Sequence, residues 1–482
     1  MTANVAQQFR DLSQSKQQTL REQGYVNVPL EFSSSEPMTG HAGAVMVSNY
    51  YMASGLAKLL DENVSLDYHG WRYSKDQLMH QLIQMCACGV GCVDRAEQMQ
   101  GDPVFRHARG MDNDSCAQNL RRFQQRLAEA DGAKDLQDTL TAYGSDLVPV
   151  SDTLRFVMDL STQQSWGHQE GVKSGRLGDG RFRNCCSWLV GGEATTQQVL
   201  TADFYPGGAN GRPLFSEHVD RLMQAARQIS GSREVLVEVR CDGGFFSWDN
   251  VDHVKNMDHV QYLMPMDMQP GTLNRVQGLS YEPSRLAEIA AREGRKLTHT
   301  EKTKKIHYEY AEFIYTSKSS NRTDDRVVVR RRPKPSVDEP QKLLFWNPKY
   351  EFSAMTTNHP GTPEEAWLAY DKGGIVEQII ENGKQGCGWA WFAANSFEVN
   401  RVSFLLKVLA QNLLRGLQQQ VLDRCCSRLQ IDTLIRDVIQ IPARLVRRGR
   451  GWVMKAFCDH PMARVLRRAQ LEVLTLALPD PG

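Results

Sequence analysis

The chain runs to 482 residues, 41% hydrophobic and 23% charged, with a formal net charge of +1 at pH 7. That composition excludes disordered and collagenous classes, the length suggests about three domains, and no window approaches the ~18 consecutive apolar residues of a membrane span. Residues 1–16 lack the apolar stretch of a secretion signal, and eleven cysteines, an odd number with adjacent pairs at Cys185–Cys186 and Cys425–Cys426, predict reduced thiols and a cytoplasmic protein rather than a disulfide framework.

Residues 1–150 read as a helical domain of net charge −5, with 13 Lys+Arg against 18 Asp+Glu. Ala42–Leu60 has few helix breakers, and Ser74–Cys86 places apolar residues at helical spacing. Ser115–Glu129 begins with a Ser N-cap, and Leu120, Phe123 and Leu127 form its apolar stripe. Cys86, Cys88 and Cys92 lie in a C-x-C-x3-C frame unlike the common zinc spacings, and no fourth ligand is obvious, so buried thiols are expected.

At Asp152 the period changes to that of strands. Thr153–Leu160, Arg183–Val190 and Gln198–Phe204 read as three strands, Leu214–Ile229 as a helix, and Glu234–Cys241 as a β-branched fourth strand. Three consecutive strands suggest an antiparallel meander, and a strand after a helix can return parallel to the first. The expected fold class is therefore mixed α/β, with a ribonuclease H-like catalytic core beginning at 151–265. Residues 266–361 interrupt that plan: a helix at Tyr281–Leu297 is followed by strands at Lys305–Tyr315, Arg326–Arg331, Lys342–Trp346 and Tyr350–Thr357, read as an inserted, mostly β-subdomain with a basic face. Residues 362–423 return to helix and complete the core. Thr362 is its N-cap, Pro363 its first position, and Gly373–Gly374 predict a break. Residues 424–482 form a basic C-terminal region in which Pro442–Phe457 reads as a hairpin.

Two segments carry the positive charge. Residues 292–334 hold 13 Lys+Arg against 6 Asp+Glu, and residues 424–468 hold 11 against 3. Either alone could be solvated surface, but two on a near-neutral chain suit a polyanion-binding protein.

Three carboxylates stand out by location. Asp159 lies on the first core strand, Asp242 ends the strand after the crossover, and Glu377 lies in the helix after the insertion. Strand ends of an open sheet meet at a crevice, and a helix packed on the sheet can deliver a third group. Converging carboxylates repel one another unless cations sit between them, and hard oxygen ligands suit Mg²⁺ or Mn²⁺. Two such ions can activate an attacking oxygen and stabilise a leaving one. Taken singly, each acid is more often a solvated charge, and periodicity does not select these three from 56 acidic residues.

A family resemblance makes that selection. FVMDLSTQQSWGHQEGVKSG, containing Asp159 and Gly167–Gly171, resembles the first catalytic block of bacterial DDE insertion-sequence transposases. VEVRCDGGF resembles the second, with Asp242 as its acid and Gly243 where Ser is usual. YDKGGIVEQIIENGKQG resembles the Tyr-Arg-Glu-Lys signature: Tyr370, Glu377 and Lys384 fit its spacing, and Gly373 stands at the Arg position, with Lys372 beside it. FEVNRVSFLLKVLAQNLLR, with Asn400, resembles the helix that follows.

The resemblance implies that Asp159, Asp242 and Glu377 are catalytic and hold two Mg²⁺ or Mn²⁺ ions. It implies that Tyr370, Lys372 and Lys384 contact DNA, the tyrosine and Lys384 lying two helical turns either side of Glu377. Its partners would be double-stranded DNA, both element ends and target, engaged by a homodimer on paired ends, with residues 1–150 as the end-binding domain. The setting implied is a bacterial cytoplasm, nucleoid-associated when bound. Two other readings share these features: a metal-dependent nuclease on the same core that cuts without joining, and a catalytically silent DNA-binding relative.

Overall fold

The computed structural model describes residues 37–68, 72–109, 113–303, 305–317, 322–333, 350–371, 374–392, 394–449 and 451–477. Its strands form in chain order where β-branched and aromatic residues cluster. They are β1 (Met38–Thr39), β2 (Thr153–Gln164), β3 (Lys173–Arg176), β4 (Phe182–Glu193), β5 (Val199–Pro206), β6 (Leu236–Cys241), β7 (Val260–Met266), β8 (Glu282–Pro283), β9 (Glu309–Ser317), β10 (Arg322–Pro333), β11 (Tyr350–Thr357), β12 (Ala443–Arg448) and β13 (Gly451–Ala456). Ten of them make one mixed sheet in the order β3-β4-β2-β6-β7-β11-β10-β9-β8, with β5 also paired to β4. β2, β4 and β5 are the antiparallel meander, and β6 returns parallel to β2 after the helix Phe215–Ser230.

The expected inserted strands join this sheet rather than building one of their own. β11 pairs antiparallel with β7, from Ala354↔Met266 to Thr357↔Leu263, and carries β10 and β9 outward from it. β7 itself was not foreseen, because Pro265 interrupts its apolar run. The helix expected at Tyr281–Leu297 contracts to Leu286–Arg292, since Glu282–Pro283 pairs with β9 and Ser284 is tied to Glu364. Lys305–His307 is a 3-10 turn, so β9 starts only at Glu309. The strand expected at Lys342–Trp346 lies outside the described residues.

Side-chain alternation along the sheet sorts its two faces. Leu154, Phe156 and Met158 of β2, with Val237, Val239 and Cys241 of β6, enter one core beneath the Phe215–Ser230 helix. Val157 of β2, with Cys186, Trp188 and Val190 of β4, enters the other, which holds the N-terminal helices and the helix Phe397–Gln420. That second helix is buried along nearly its whole length. Several of its buried polar residues find partners. Asn412 bonds both the N–H and the C=O of Val199, closing the backbone of β5, and Gln411 donates to Ile379 O. Lys407 donates to the carbonyl of Trp391. No helix among the described residues is long and apolar enough to cross a membrane.

In the N-terminal region Gly55, at φ +82°, splits the first expected helix into Ala44–Ala53 and Leu56–Asn63. The helix expected to be capped by Ser115 starts at Ala117. Ser115 is buried instead, its N–H and C=O both held by the Gln81 amide. Cys86 and Cys88 are buried thiols and Cys92 is half-buried. β12 and β13 form the expected basic hairpin, joined on one side by the two-residue β1.

Candidate active site

β2 and β6 run parallel with Met158 opposite Cys241, so Asp159 and Asp242 follow side by side at the ends of adjacent strands. Both are one residue past a side chain pointing into the Phe215–Ser230 core. Alternation therefore turns both carboxylates to the opposite face, where the helix Ile375–Gly386 packs on β2. Glu377 sits in the first turn of that helix. A Cβ at Gly374 would lie 3.1 Å from Glu377 Oε2, so the glycine leaves that carboxylate room. The three acids, from three separate elements, line one cavity of about 430 Å³ together with Arg240, Tyr370 and Asp371.

Their charges act on one another. The half-buried Asp159 carboxyl is pushed up to about 6, first by burial, then by Asp242, with Glu377 adding to the rise and Lys384 opposing it. Asp242 spends one oxygen on the Gly243 N–H, at 2.7 Å, and is otherwise exposed. This is a set of hard oxygen donors with too little positive charge of its own, which fits a divalent cation. Among the described residues, however, no three His, Cys, Asp or Glu side chains are gathered tightly enough to grip a single ion.

Tyr370 reaches the cavity from a different element than the spacing implied. Its helix ends at Asp371 and the Glu377 helix starts at Ile375, so the two do not share one helical face; the diglycine expected to break the helix lies between them. Burial and the nearby Asp242 raise the phenol pKa, holding the hydroxyl protonated. Lys384 does lie two turns beyond Glu377, outside the cavity lining. Its Nζ is 3.4 Å from Ser161 Oγ and 5.5 Å above the Trp188 ring, and burial lowers its pKa against the pull of Glu381 and Asp159. Lys372 lies outside the described residues.

The sequence did not single out three residues near this cavity. Arg240, two positions before Asp242 on the same strand face, is buried and paired with Glu238. Asp371 is held by Arg330 at 2.9 Å and by Lys305 at 2.8 Å. Arg330 itself lies 4.0 Å over the Trp367 ring. Period-2 alternation along β6 could have found Arg240, but nothing local connects Arg330 to Asp371 forty-one residues away.

Two further residues of the first matched block support the fold. Glu170 accepts from the Phe397 N–H, capping the long helix, and Gly171 takes φ +81° against the Phe397 ring. Asn400 holds both backbone groups of Ala394. Trp248 packs against Tyr315 and Arg322, whereas Trp166 and His168 are exposed.

Residues 21–477 match the family model described as transposase DDE domain, group 1. No curated protein matches the chain. Among solved structures, the chain is similar to a piggyBac transposase in a synaptic complex with hairpin DNA. Identity is 12%, covering 92% of this chain and 87% of that one, with a TM-score of 0.38.

Proposed function

The chain belongs to the family of group 1 DDE transposase domains, and from that premise we propose that Asp159, Asp242 and Glu377 are its catalytic acids. The observation that carries the reading is their meeting in one cavity from two strand ends and a helix, with burial first and then the charges of Asp242 and Glu377 raising the Asp159 pKa. The core is read as ribonuclease H-like, on the meander, the parallel return strand and the acids at the strand ends.

In this reading the three carboxylates hold two Mg²⁺ or Mn²⁺ ions. Bound there, the ions supply Lewis acidity and a nucleophilic water at neutral pH. The protein's own groups orient the DNA. Tyr370, kept protonated, donates to a phosphate oxygen, and Lys384 supplies positive charge beside β2. Lys372 is a further phosphate contact. Arg330 and Lys305 fix Asp371 and with it the end of the Tyr370 helix. The reaction is phosphodiester hydrolysis at the ends of the element. The freed 3′-hydroxyl then attacks target DNA at the same site, forming a new phosphodiester and releasing the target's own 3′-hydroxyl. We read the substrate as the terminal inverted repeats of a bacterial insertion sequence, held by a homodimer in the cytoplasm.

The test is a plasmid carrying the coding region with its flanking DNA, incubated with the purified protein and Mg²⁺. Excision and joining to a second plasmid support the reading. Cutting without joining makes the protein a nuclease, and binding without either makes it a silent relative.

A further inference from the structure

Among the described residues, the C-terminal hairpin and the helix after it hold several cations that the fold leaves without an acidic partner. β12 and β13 pair in register from Ala443↔Ala456 to Arg448↔Gly451, and Gly449, directly after β12, takes φ +61°. Among the described residues β1 covers β12 at Ala443 and Arg444, with the Pro37 carbonyl accepting from the Leu445 N–H, and beyond Leu445 the ribbon is β12 paired with β13 alone. Leu445 and Met454 anchor its base to the core. Toward the turn Arg447 and Arg448 are exposed, with Trp452, whose ring lies 4.8 Å from that of His107, directly across from Arg447. Lys455 and, on the following helix, Arg467 line one open cavity of about 400 Å³ that has no acidic residue in its walls. Among the described residues, Arg447, Arg448, Lys455, Arg464 and Arg467 have no acidic partner.

Resting on the transposase reading, we propose that this ribbon is a duplex-DNA grip, separate from the acid cavity. It would lie along a groove with Arg447, Arg448 and Lys455 on the flanking phosphates. A two-stranded ribbon fits the major groove of B-form DNA, and cations unpaired within a protein are the ones able to displace counterions from phosphate. Charge complementarity selects this occupant over a second copy of the chain adding a strand to the free edge of β13. Such a copy would bring like charges together along that edge.

The test uses the full chain and a short random-sequence duplex, with binding read by fluorescence anisotropy across a salt series. Each phosphate contact contributes about 0.9 to the slope of log K against log salt. The Arg447→Ala/Arg448→Ala/Lys455→Ala variant is therefore expected to flatten that slope by roughly 2–3 with an unchanged melting temperature. The corresponding Arg447→Lys/Arg448→Lys variant should keep the wild-type slope. Glu377→Gln should keep it too while losing cutting. An alanine variant with the wild-type slope overturns the grip, as does one that changes only self-association. If the wild type shows the ribbon-dependent slope but never cuts in Mg²⁺, the grip stands and the transposase reading fails.

Discussion

Residues 292–334 and 424–468 carry nearly equal excess positive charge, and the fold uses it in opposite ways. In the first segment Arg292 pairs with Glu365, Arg322 with Asp252 and Asp325, Arg326 with Glu312, Arg330 and Lys305 with Asp371, Arg331 with Glu309, and Arg332 with Glu351. Several of those acids lie outside the segment, so its net charge in sequence overstated its charge in space. The basic face expected for the inserted strands is largely neutralised. In the second segment, Arg436 and Arg468 find acids, whereas Arg447, Arg448 and Lys455 have none among the described residues. Net charge per stretch marks where cations are; only the fold decides which remain available to a ligand.

The largest expected effect tests the neutralised side. Arg322 is buried, bonded to Asp252 and Asp325 and 4.1 Å from the Trp248 ring. Arg322→Ala leaves buried Asp325 with only Lys255, and should cost about 3–5 kcal/mol in urea unfolding, with an unaltered salt slope for DNA binding. Weakened DNA binding at unchanged stability would reverse the assignment. Arg330→Ala removes the Asp371 pair and the stack on Trp367, and should cost roughly 2–3 kcal/mol by the same measurement.

The acid cavity belongs with the ribbon, as charge left unsatisfied by the fold. The Asp159 carboxyl is raised to about 6 from an ordinary 3.8. Below the lower value the group is protonated in both folded and unfolded chains and changes nothing. Above the higher value the folded protein carries an unfavourable charge. Asp159→Asn should therefore stabilise the metal-free protein above pH 6, by on the order of 1–3 kcal/mol. That gain should fade below the ordinary carboxylate range in thermal melts across pH. A destabilising Asn would mean the carboxylate is held by the fold. The smallest effect is expected at Arg448→Ala alone: stability within about 0.5 kcal/mol, and a salt slope flatter by about 0.9.

Much of the architecture was legible because it rests on local periodicity. The meander, the crossover helix and the hairpin follow from alternation, helical spacing and turn residues. The attachment of β9–β11 to β7 was not, because strand pairing across ninety residues leaves no local mark and Pro265 disguised the strand that receives them. At the site, the family resemblance, rather than periodicity, led to Asp159, Asp242, Glu377, Tyr370 and Lys384. The expected diglycine break already separated Tyr370 from the Glu377 helix, but nothing local showed that Lys384 faces Ser161 and Trp188 outside the cavity. Arg330 was invisible for the same reason as the attachment of β9–β11: its partner Asp371 is near only in space.

The central claim is that three acids form one cation-dependent cutting site, and Mn²⁺ binding measured by electron paramagnetic resonance alongside duplex cleavage tests it most directly. The account predicts that the wild type binds Mn²⁺ and cuts, while Asp242→Asn loses both and keeps its salt-dependent hold on DNA. Undiminished Mn²⁺ binding and cutting by Asp242→Asn would contradict it.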